Sequence, residues 1–598
     1  MRRAIGSCAL VLTFSLDVFG AASSPVADAA MKGDLAVVKS LIQQKADVNA
    51  PQADGATAIQ WAAYRNNVVM ADALIAARAN VKLANRDGAT ALRLASLNGN
   101  APMIERLLKA GADPSERGPK GELPLLFASR NGSVDAIHVL LDQGADINGK
   151  ETLRGTSALM WAAEQGNALA VKYLIQRGAD LGAASNPDSK GNTAYLAPTQ
   201  GDRSRSGQGA GGLGQGRGGR GGPGAGRGGR GRGGAGAAAG AEPTGDDGLS
   251  FDVVAAADQA AADFAFGRTQ NSDGGGLTSL VFAAREGHLD CVKLLVEGGA
   301  DVNQTTRYGW TPLLVATQNN HYLVGKYLLE HGADPNIPNK GGWNPLYLAT
   351  DNRNIEGGDY PVRPADMDHL EYIKLLIDKG ADVNARVCGA KSTPTNCVGD
   401  STETRTIFTM QWVREDGATP FWRAAQSGDV ALMKLLLAHG ADPKIATAHK
   451  VTPLSVASGI GWVEGITFEW SPEENLEAVK MCLDLGIDPN AKDDEGRTAL
   501  HGAAHKGRDE VIKVLVDHGA DLEAHDLGSR DTVNGAMKGM TWIPLHYSEG
   551  LVRVGVQSAI PHPETAAFIK QMMTEKGLPI PPDITSSICL TKGLNGCQ

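Results

Sequence analysis

Apolar residues recur along most of the chain in pairs of short stretches with helical spacing. The cleanest copy runs from Glu495 to Ala524 and reads EGRTALHGAAHKGRDEVIKVLVDHGADLEA. Its apolar spacing predicts two helices that share one apolar face. Thr498 is placed to cap the first helix, and Gly507 and Gly519 are placed to end the two helices. Such a pair cannot cover its apolar face alone, so it needs a copy of itself on each side.

The copies are present at a regular spacing. Thr57 and Thr90 are 33 residues apart, as are Leu280 and Leu313. First helices begin with segments such as TPLL at 311 and TALH at 498, and second helices end in segments such as GADV at 299. Roughly eleven to twelve copies lie between about residue 26 and residue 550.

The period, the T-P-L-H-x-A start and the G-A-D-x-N end resemble the ankyrin repeat. The resemblance, which extends to exported multi-ankyrin proteins of bacteria, implies an all-α solenoid of helix-turn-helix repeats with protruding β-turns. It further implies non-catalytic binding of a protein partner through the concave face and the turns. A fold does not specify its ligand, so the partner is not identified by this pattern.

Breaks in the pattern divide the chain into segments. Residues 199–248 are rich in Gly and Arg and have almost no apolar bulk to offset the entropy of ordering, so we expect a disordered linker. The repeat that begins GNTAYLAP at 191 breaks off before this linker, and the helical pattern at 251–266 is placed to complete it. The expected segments are an N-terminal array at 25–198, a C-terminal array at 249–550 with insertions at 354–368, 388–415 and 461–475, and a cap and tail at 551–598.

Residues 1–24 have the features of a secretory signal peptide. Arg2 and Arg3 precede an apolar run, and small residues follow it, so we expect cleavage near Ala22 to Ser24. An uncleaved anchor is the alternative, although the run is short for a membrane span. We therefore expect an exported protein, periplasmic or extracellular, monomeric, and without a transmembrane segment in the mature chain.

Charge and cysteine content bear on partners and compartment. A net charge of -10 argues against a nucleic-acid-binding protein. The Arg/Gly-rich segment is interpreted as a solvated linker, with binding of an envelope polyanion as the alternative. In an oxidising compartment, we expect short-range bridges Cys388–Cys397 and Cys589–Cys597, and four unrelated thiols are the alternative. Two further cysteines, Cys291 and Cys482, occupy apolar helix positions and are expected to be free thiols in the core.

Candidate catalytic chemistry is sparse. His501 and His505 are four residues apart, as in helical zinc sites, but the general-base glutamate of that motif is missing. A structural role is the interpretation, and we predict no metal, no cofactor and no enzymatic activity. An enzyme with a site in the insertions at 388–415 and 461–475 is the competing class, although no nucleophile–base set supports it.

Aromatic residues provide the candidates for partner binding. Trp310 and Trp343 precede TPLL and NPLY at equivalent points of adjacent repeats, and Tyr308 lies beside them. We hypothesise that these residues form an exposed stripe, helped by Trp462 and Trp470 in an insertion, because aromatic side chains dominate binding hot spots. The alternative for Trp310 and Trp343 is packing against the next turn.

Overall fold

The structure is a computed structural model, and it describes residues 24–186, 275–307, 309–339, 341–354, 364–387, 413, 415–462, 468–528, 541–552 and 561–582. These residues form 24 helices, arranged as twelve consecutive pairs. The β-structure of these described residues consists of isolated β-bridges in the turns, without any extended strand. The predicted all-α solenoid is therefore confirmed.

The helices of the first six pairs are α1 Pro25–Lys32, α2 Leu35–Gln43, α3 Ala58–Tyr64, α4 Val68–Ala76, α5 Ala91–Leu97, α6 Ala101–Lys109, α7 Pro124–Asn131, α8 Val134–Asp142, α9 Ala158–Glu164, α10 Ala168–Gln176, α11 Ser279–Glu286 and α12 Leu289–Glu297. Those of the last six are α13 Pro312–Gln318, α14 Tyr322–Glu330, α15 Pro345–Arg353, α16 His369–Asp378, α17 Pro420–Gln426, α18 Val430–Ala438, α19 Pro453–Ser458, α20 Pro472–Asp484, α21 Ala499–Lys506, α22 Asp509–Asp517, α23 Pro544–Ser548 and α24 Pro563–Glu575.

Most first helices begin with the predicted Thr cap. The Thr311 hydroxyl accepts the Leu314 backbone N–H at 3.1 Å, which satisfies a donor that has no partner within the helix. The second helices end at the GAD turn, where Gly144 has a φ of 92°. Because glycine enters this left-handed region without strain, it stops the helix there.

Neighbouring pairs stack face to face. Each first helix packs against the first helices before and after it, as in the run α3, α5, α7 and α9. Small side chains such as Ala62, Ala63 and Ala95 are fully buried at these contacts, so the helix axes approach closely. Larger residues such as Leu74 on α4 and Leu107 on α6 form the buried face of the second helices.

Turns are joined by asparagine side chains that follow the GAD segments. Asn303 accepts the Asp334 N–H at 2.9 Å through Oδ1 and donates through Nδ2 to the Gly332 carbonyl at 3.1 Å. Three further asparagines that lie four residues after a glycine bond the next turn in the same two ways, namely Asn336, Asn384 and Asn490, and so does Asn49, which lies four residues after Lys45. The fourth residue after the glycine thus ties one repeat to the next.

The stack continues directly across residues 187–274. Helix α9 packs against α11, and the Ser185 N–H donates to the Leu277 carbonyl at 2.9 Å. Arg285 on α11 forms an ion pair with Glu164 on α9 at 2.7 Å. The repeat that follows α9 and α10 is therefore α11 and α12, and residues 187–274 enter the solenoid as an insertion in one turn. The expected linker at 199–248 and the segments at 191–198 and 251–266 lie outside the described residues.

Several other predictions also fall on residues that the structure does not describe. They concern the leader at 1–23 and the four cysteines Cys388, Cys397, Cys589 and Cys597. The two remaining cysteines, Cys291 and Cys482, are buried free thiols as predicted, and burial raises their pKa values to about 11 and about 12. Within the described ranges, no helix is long and apolar enough to cross a membrane.

We predict that deleting residues 203–240 leaves the solenoid folded. The contacts that join α9 to α11 come from residues outside this deletion, so each repeat keeps its neighbours. The helical circular dichroism and the midpoint of thermal unfolding of the deletion variant should match those of the full chain. A loss of helicity would contradict this expectation.

Candidate functional site

Trp310 and Trp343 do not form an exposed stripe. Trp310 is 0% exposed and Trp343 is 5% exposed, and the Trp343 ring packs edge-to-face on Tyr347 at 5.0 Å. The expectation of exposure is wrong because the turns close behind these residues, as when Trp310 accepts the Thr306 N–H at 2.9 Å. The closed turn places each ring at its base, against the core. Tyr308 lies outside the described residues.

The insertion at 461–475 presents the one exposed tryptophan among the residues that the structure describes. Trp470 is 39% exposed, yet its indole N–H donates to Asn354 Oδ1 at 2.9 Å. Its ring lies under the Arg353 guanidinium, 4.5 Å from the ring centroid, and it meets Phe468 edge-to-face at 5.6 Å. Trp470 is thus both solvent-facing and held in place. We call Phe468 and Trp470 the aromatic ledge.

Contacts further along the insertion fasten it to the C-terminal repeats. Glu469 forms ion pairs with Lys506 at 2.8 Å and with Arg508 at 2.9 Å. Trp462, which is partly buried, lies 5.7 Å from the Lys506 ammonium. The insertion therefore contacts both α21 and the end of α15, although two helix pairs, α17 with α18 and α19 with α20, lie between them in the stack. The hydrogen bond from Trp470 to Asn354 also connects this insertion with the predicted insertion at 354–368, because Asn354 is the first residue of that segment.

A network of buried ion pairs includes Arg353, the residue that contacts the Trp470 ring of the aromatic ledge. Arg353 pairs with Asp429 at 2.8 Å, and Arg423 pairs with Asp351 at 2.9 Å. Both arginines bridge different repeats, so their loss would leave buried carboxylates without a cationic partner. Beside them, burial raises the pKa of Glu415 to about 7. The network fixes the position of Arg353 and hence of the Trp470 ring.

His501 has a structural role, as the sequence indicates. Its Nδ1 accepts the Thr498 N–H at 3.0 Å, and its Nε2 therefore carries the proton that bonds the Trp542 carbonyl at 3.2 Å. Burial lowers its pKa to about 3, so the ring stays neutral. In the second repeat Gln60 replaces it, accepting the Thr57 N–H at 2.6 Å and donating to the Ala89 carbonyl at 2.6 Å. Among the described residues, no three potential metal ligands cluster.

A second surface lies on the first helices themselves. The seventh residue after each cap position occupies equivalent places on successive first helices, and its exposure changes along the stack. Tyr64, Leu97, Arg130 and Glu164 are exposed or partly exposed in pairs two to five, whereas Arg285, Gln318, Asp351, Gln426 and His505 are buried. The row is therefore open in the N-terminal part of the stack and covered from the sixth pair onward.

Next to the open row lies a cavity of about 120 Å³. It is formed by α7, α9, α11 and the turns before α7 and α9, and its lining includes Arg130, Trp161, Glu164 and Phe282. This site is not apparent from the sequence, because its residues come from three separate repeats. Aligning the repeats on their cap positions would have brought Arg130 and Glu164 into one row.

Comparison with known families agrees with this geometry. The model for ankyrin repeats in three copies matches residues 26–118, 102–185, 255–339, 280–387 and 471–548, and the single-repeat model matches 416–448. Together these matches cover more than half of the chain. The chain belongs to the ankyrin-repeat family. Ankyrin repeats indicate a protein–protein interaction scaffold.

Curated relatives match only in part. The chain is 28% identical over 181 residues to an ankyrin repeat and KH domain-containing protein of Caenorhabditis elegans, covering 25% of this chain and 7% of that protein. It is 35% identical over 123 residues to a transient receptor potential cation channel subfamily A member 1 homolog of the same organism, covering 20% and 9%. A regulatory subunit 12A of protein phosphatase 1 from Mus musculus is 45% identical over 47 residues, covering 8% and 5%. The matches thus span less than a tenth of these relatives.

Trp310→Ala should destabilise the C-terminal repeats. Removing a fully buried indole leaves a cavity and costs about 3–5 kcal/mol. Trp470→Ala, which removes a ring with part of its surface in solvent, should cost much less. Thermal unfolding of both variants measures the difference, and equal losses would contradict the burial described above.

His501→Gln should make stability less dependent on pH. The ordinary pKa of histidine is 6.5 and that of folded His501 is about 3, so the unfolded chain binds a proton that the folded chain does not between these values. Stability therefore falls as the pH drops below about 6.5, by about 2 kcal/mol at pH 5 from this residue alone.

Glutamine keeps both hydrogen bonds, as Gln60 does, but does not titrate. The loss in unfolding midpoint between pH 7.5 and pH 5 should therefore be smaller in the variant than in the parent chain. An identical loss in both would show that His501 is not the titrating group.

Proposed function

We propose that this chain is a non-catalytic scaffold that binds a partner protein outside the cytoplasm, using the aromatic ledge and the open row on the first helices. The proposal rests on the setting of Trp470. Its side chain is 39% exposed, although its ring contacts Arg353 and its indole N–H donates to Asn354. A solvent-facing tryptophan in a fixed orientation loses little conformational entropy when a partner covers it.

Its position favours a binding role over a purely structural one. The insertion splits the pair α19 and α20, so the helix stack does not require it to complete a repeat. Loops held on a rigid scaffold are the usual carriers of binding function. Tryptophan and arginine, which stack here as Trp470 and Arg353, are the residue types most enriched in binding hot spots.

Export is the second part of the proposal. The basic start, apolar run and small residues of 1–24 support cleavage and transfer to the periplasm or the extracellular space. The short spacings between Cys388 and Cys397, and between Cys589 and Cys597, are compatible with disulfides in an oxidising compartment. We propose that the mature chain is a monomer there.

The function is tested by capturing partners from the envelope and extracellular fractions with the full mature chain. If the aromatic ledge binds a partner, Trp470→Ala should weaken binding of the captured protein by about 2 kcal/mol, roughly thirtyfold. The thermal unfolding midpoint of the same variant should change little.

Leu169→Ala is the matched control, because Leu169 is a large apolar residue exposed on the second helix α10, far along the chain from the ledge. It should leave binding unchanged. Equal affinity of the parent chain and the Trp470 variant for every captured protein would reject the ledge as a binding surface.

A further inference from the structure

The cavity between the fourth, fifth and sixth helix pairs has a consistent chemical character. Trp161 and Phe282 supply aromatic wall, and Met160 and Leu153 supply aliphatic wall, with Leu153 exposed at the rim. Three basic and three acidic side chains also line it, namely Lys120, Arg130, Arg154, Glu122, Glu151 and Glu164. What the cavity can bind depends on which of these charged groups already form hydrogen bonds or ion pairs within the protein.

The three carboxylates are engaged. Glu151 accepts the Arg154 N–H at 2.9 Å and both the N–H and the hydroxyl of Thr156 at 2.8 Å, so it holds its own turn together. Glu164 pairs with Arg285 at 2.7 Å. Glu122 accepts the Lys120 N–H at 3.1 Å and lies 3.6 Å from Arg93.

Arg130 differs from these acidic groups. Its guanidinium lies over the Trp161 ring, 5.9 Å from the centroid, and it has no carboxylate partner among the residues that the structure describes. A stacked guanidinium keeps its edge N–H groups available for a planar acceptor. The three carboxylates that line the cavity have other partners, so Arg130 contributes a positive charge at the open row that no described carboxylate pairs with.

We propose that this cavity is a specificity pocket for an acidic side chain of the partner, in which Arg130 binds a carboxylate and Trp161 and Leu153 contact an adjacent apolar residue. The proposal rests on the protein-binding function stated above and names the chemistry of the partner segment. A carboxylate fits better than a phosphate, because a dianion would be repelled more strongly by the three carboxylates in the wall. Arginine and carboxylate groups also match in a bidentate geometry.

The test is selection of random short peptides, displayed on phage, against the full mature chain. Enriched peptides should carry Asp or Glu next to an apolar residue, and a synthetic peptide of that sequence should bind the chain in a fluorescence polarisation assay. Arg130→Gln should weaken that binding by at least about tenfold. Arg130→Glu should abolish it and select peptides with Lys or Arg at the acidic position instead.

Arg177→Gln is the matched control. Arg177 also lies over an aromatic ring, that of Tyr173, at 5.5 Å, but it follows the second helix α10 of the fifth pair and so lies outside the open row. It changes the net charge equally and should leave peptide binding unchanged. Thermal unfolding of all three variants checks that Arg130 substitutions act on binding rather than on folding.

The outcomes separate the two proposals. Enriched peptides without an acidic residue, or acidic peptides that bind the Arg130→Gln variant as tightly as the parent chain, would overturn the pocket while leaving the scaffold function intact. Selection of phosphorylated over carboxylate peptides in a direct competition would overturn the choice of ligand. Failure to enrich any peptide would also contradict the pocket, and the capture experiment with the aromatic ledge would then decide the scaffold function separately.

Discussion

The solenoid depends on bonds that each repeat makes to the next one only. The clearest is the asparagine after the GAD segment, whose single amide group accepts and donates hydrogen bonds across the gap between two turns, as Asn303 does. A hydrogen bond of this kind contributes on the order of 1 kcal/mol, so no single one holds the chain together. Repeated along the stack, they set the spacing at which the apolar faces of successive helices meet.

Because this bonding is local, the chain accommodates long interruptions. The largest, at 187–274, enters in one turn, where Gly182 stands in place of the asparagine and the Arg285–Glu164 pair joins the helices instead. The insertions at 354–368 and 461–475 lie between the helices of a pair. Each leaves both helices of its pair in contact, so function can be added at the edges without disturbing the core.

Local patterns were sufficient to predict the repeats, the Thr caps, the glycine stops and the buried thiols Cys291 and Cys482. They were not sufficient for Trp310 and Trp343, since sequence position alone does not show whether a residue at the base of a turn points into the stack. The setting of Trp470 depends on Arg353 and Asn354, more than a hundred positions away. The cavity at Arg130 draws on three repeats, and only the register between them reveals it.

Hydrogen exchange of the full chain, read by mass spectrometry, tests most directly whether the repeats on both sides of 187–274 form one stack. In a continuous solenoid α9 and α11 are interior helices, so their amides should be protected as strongly as those of α5. If the chain instead consisted of two separate arrays, α9 and α11 would be end helices. They would then exchange as fast as the terminal helices α1 and α24, which would contradict the account.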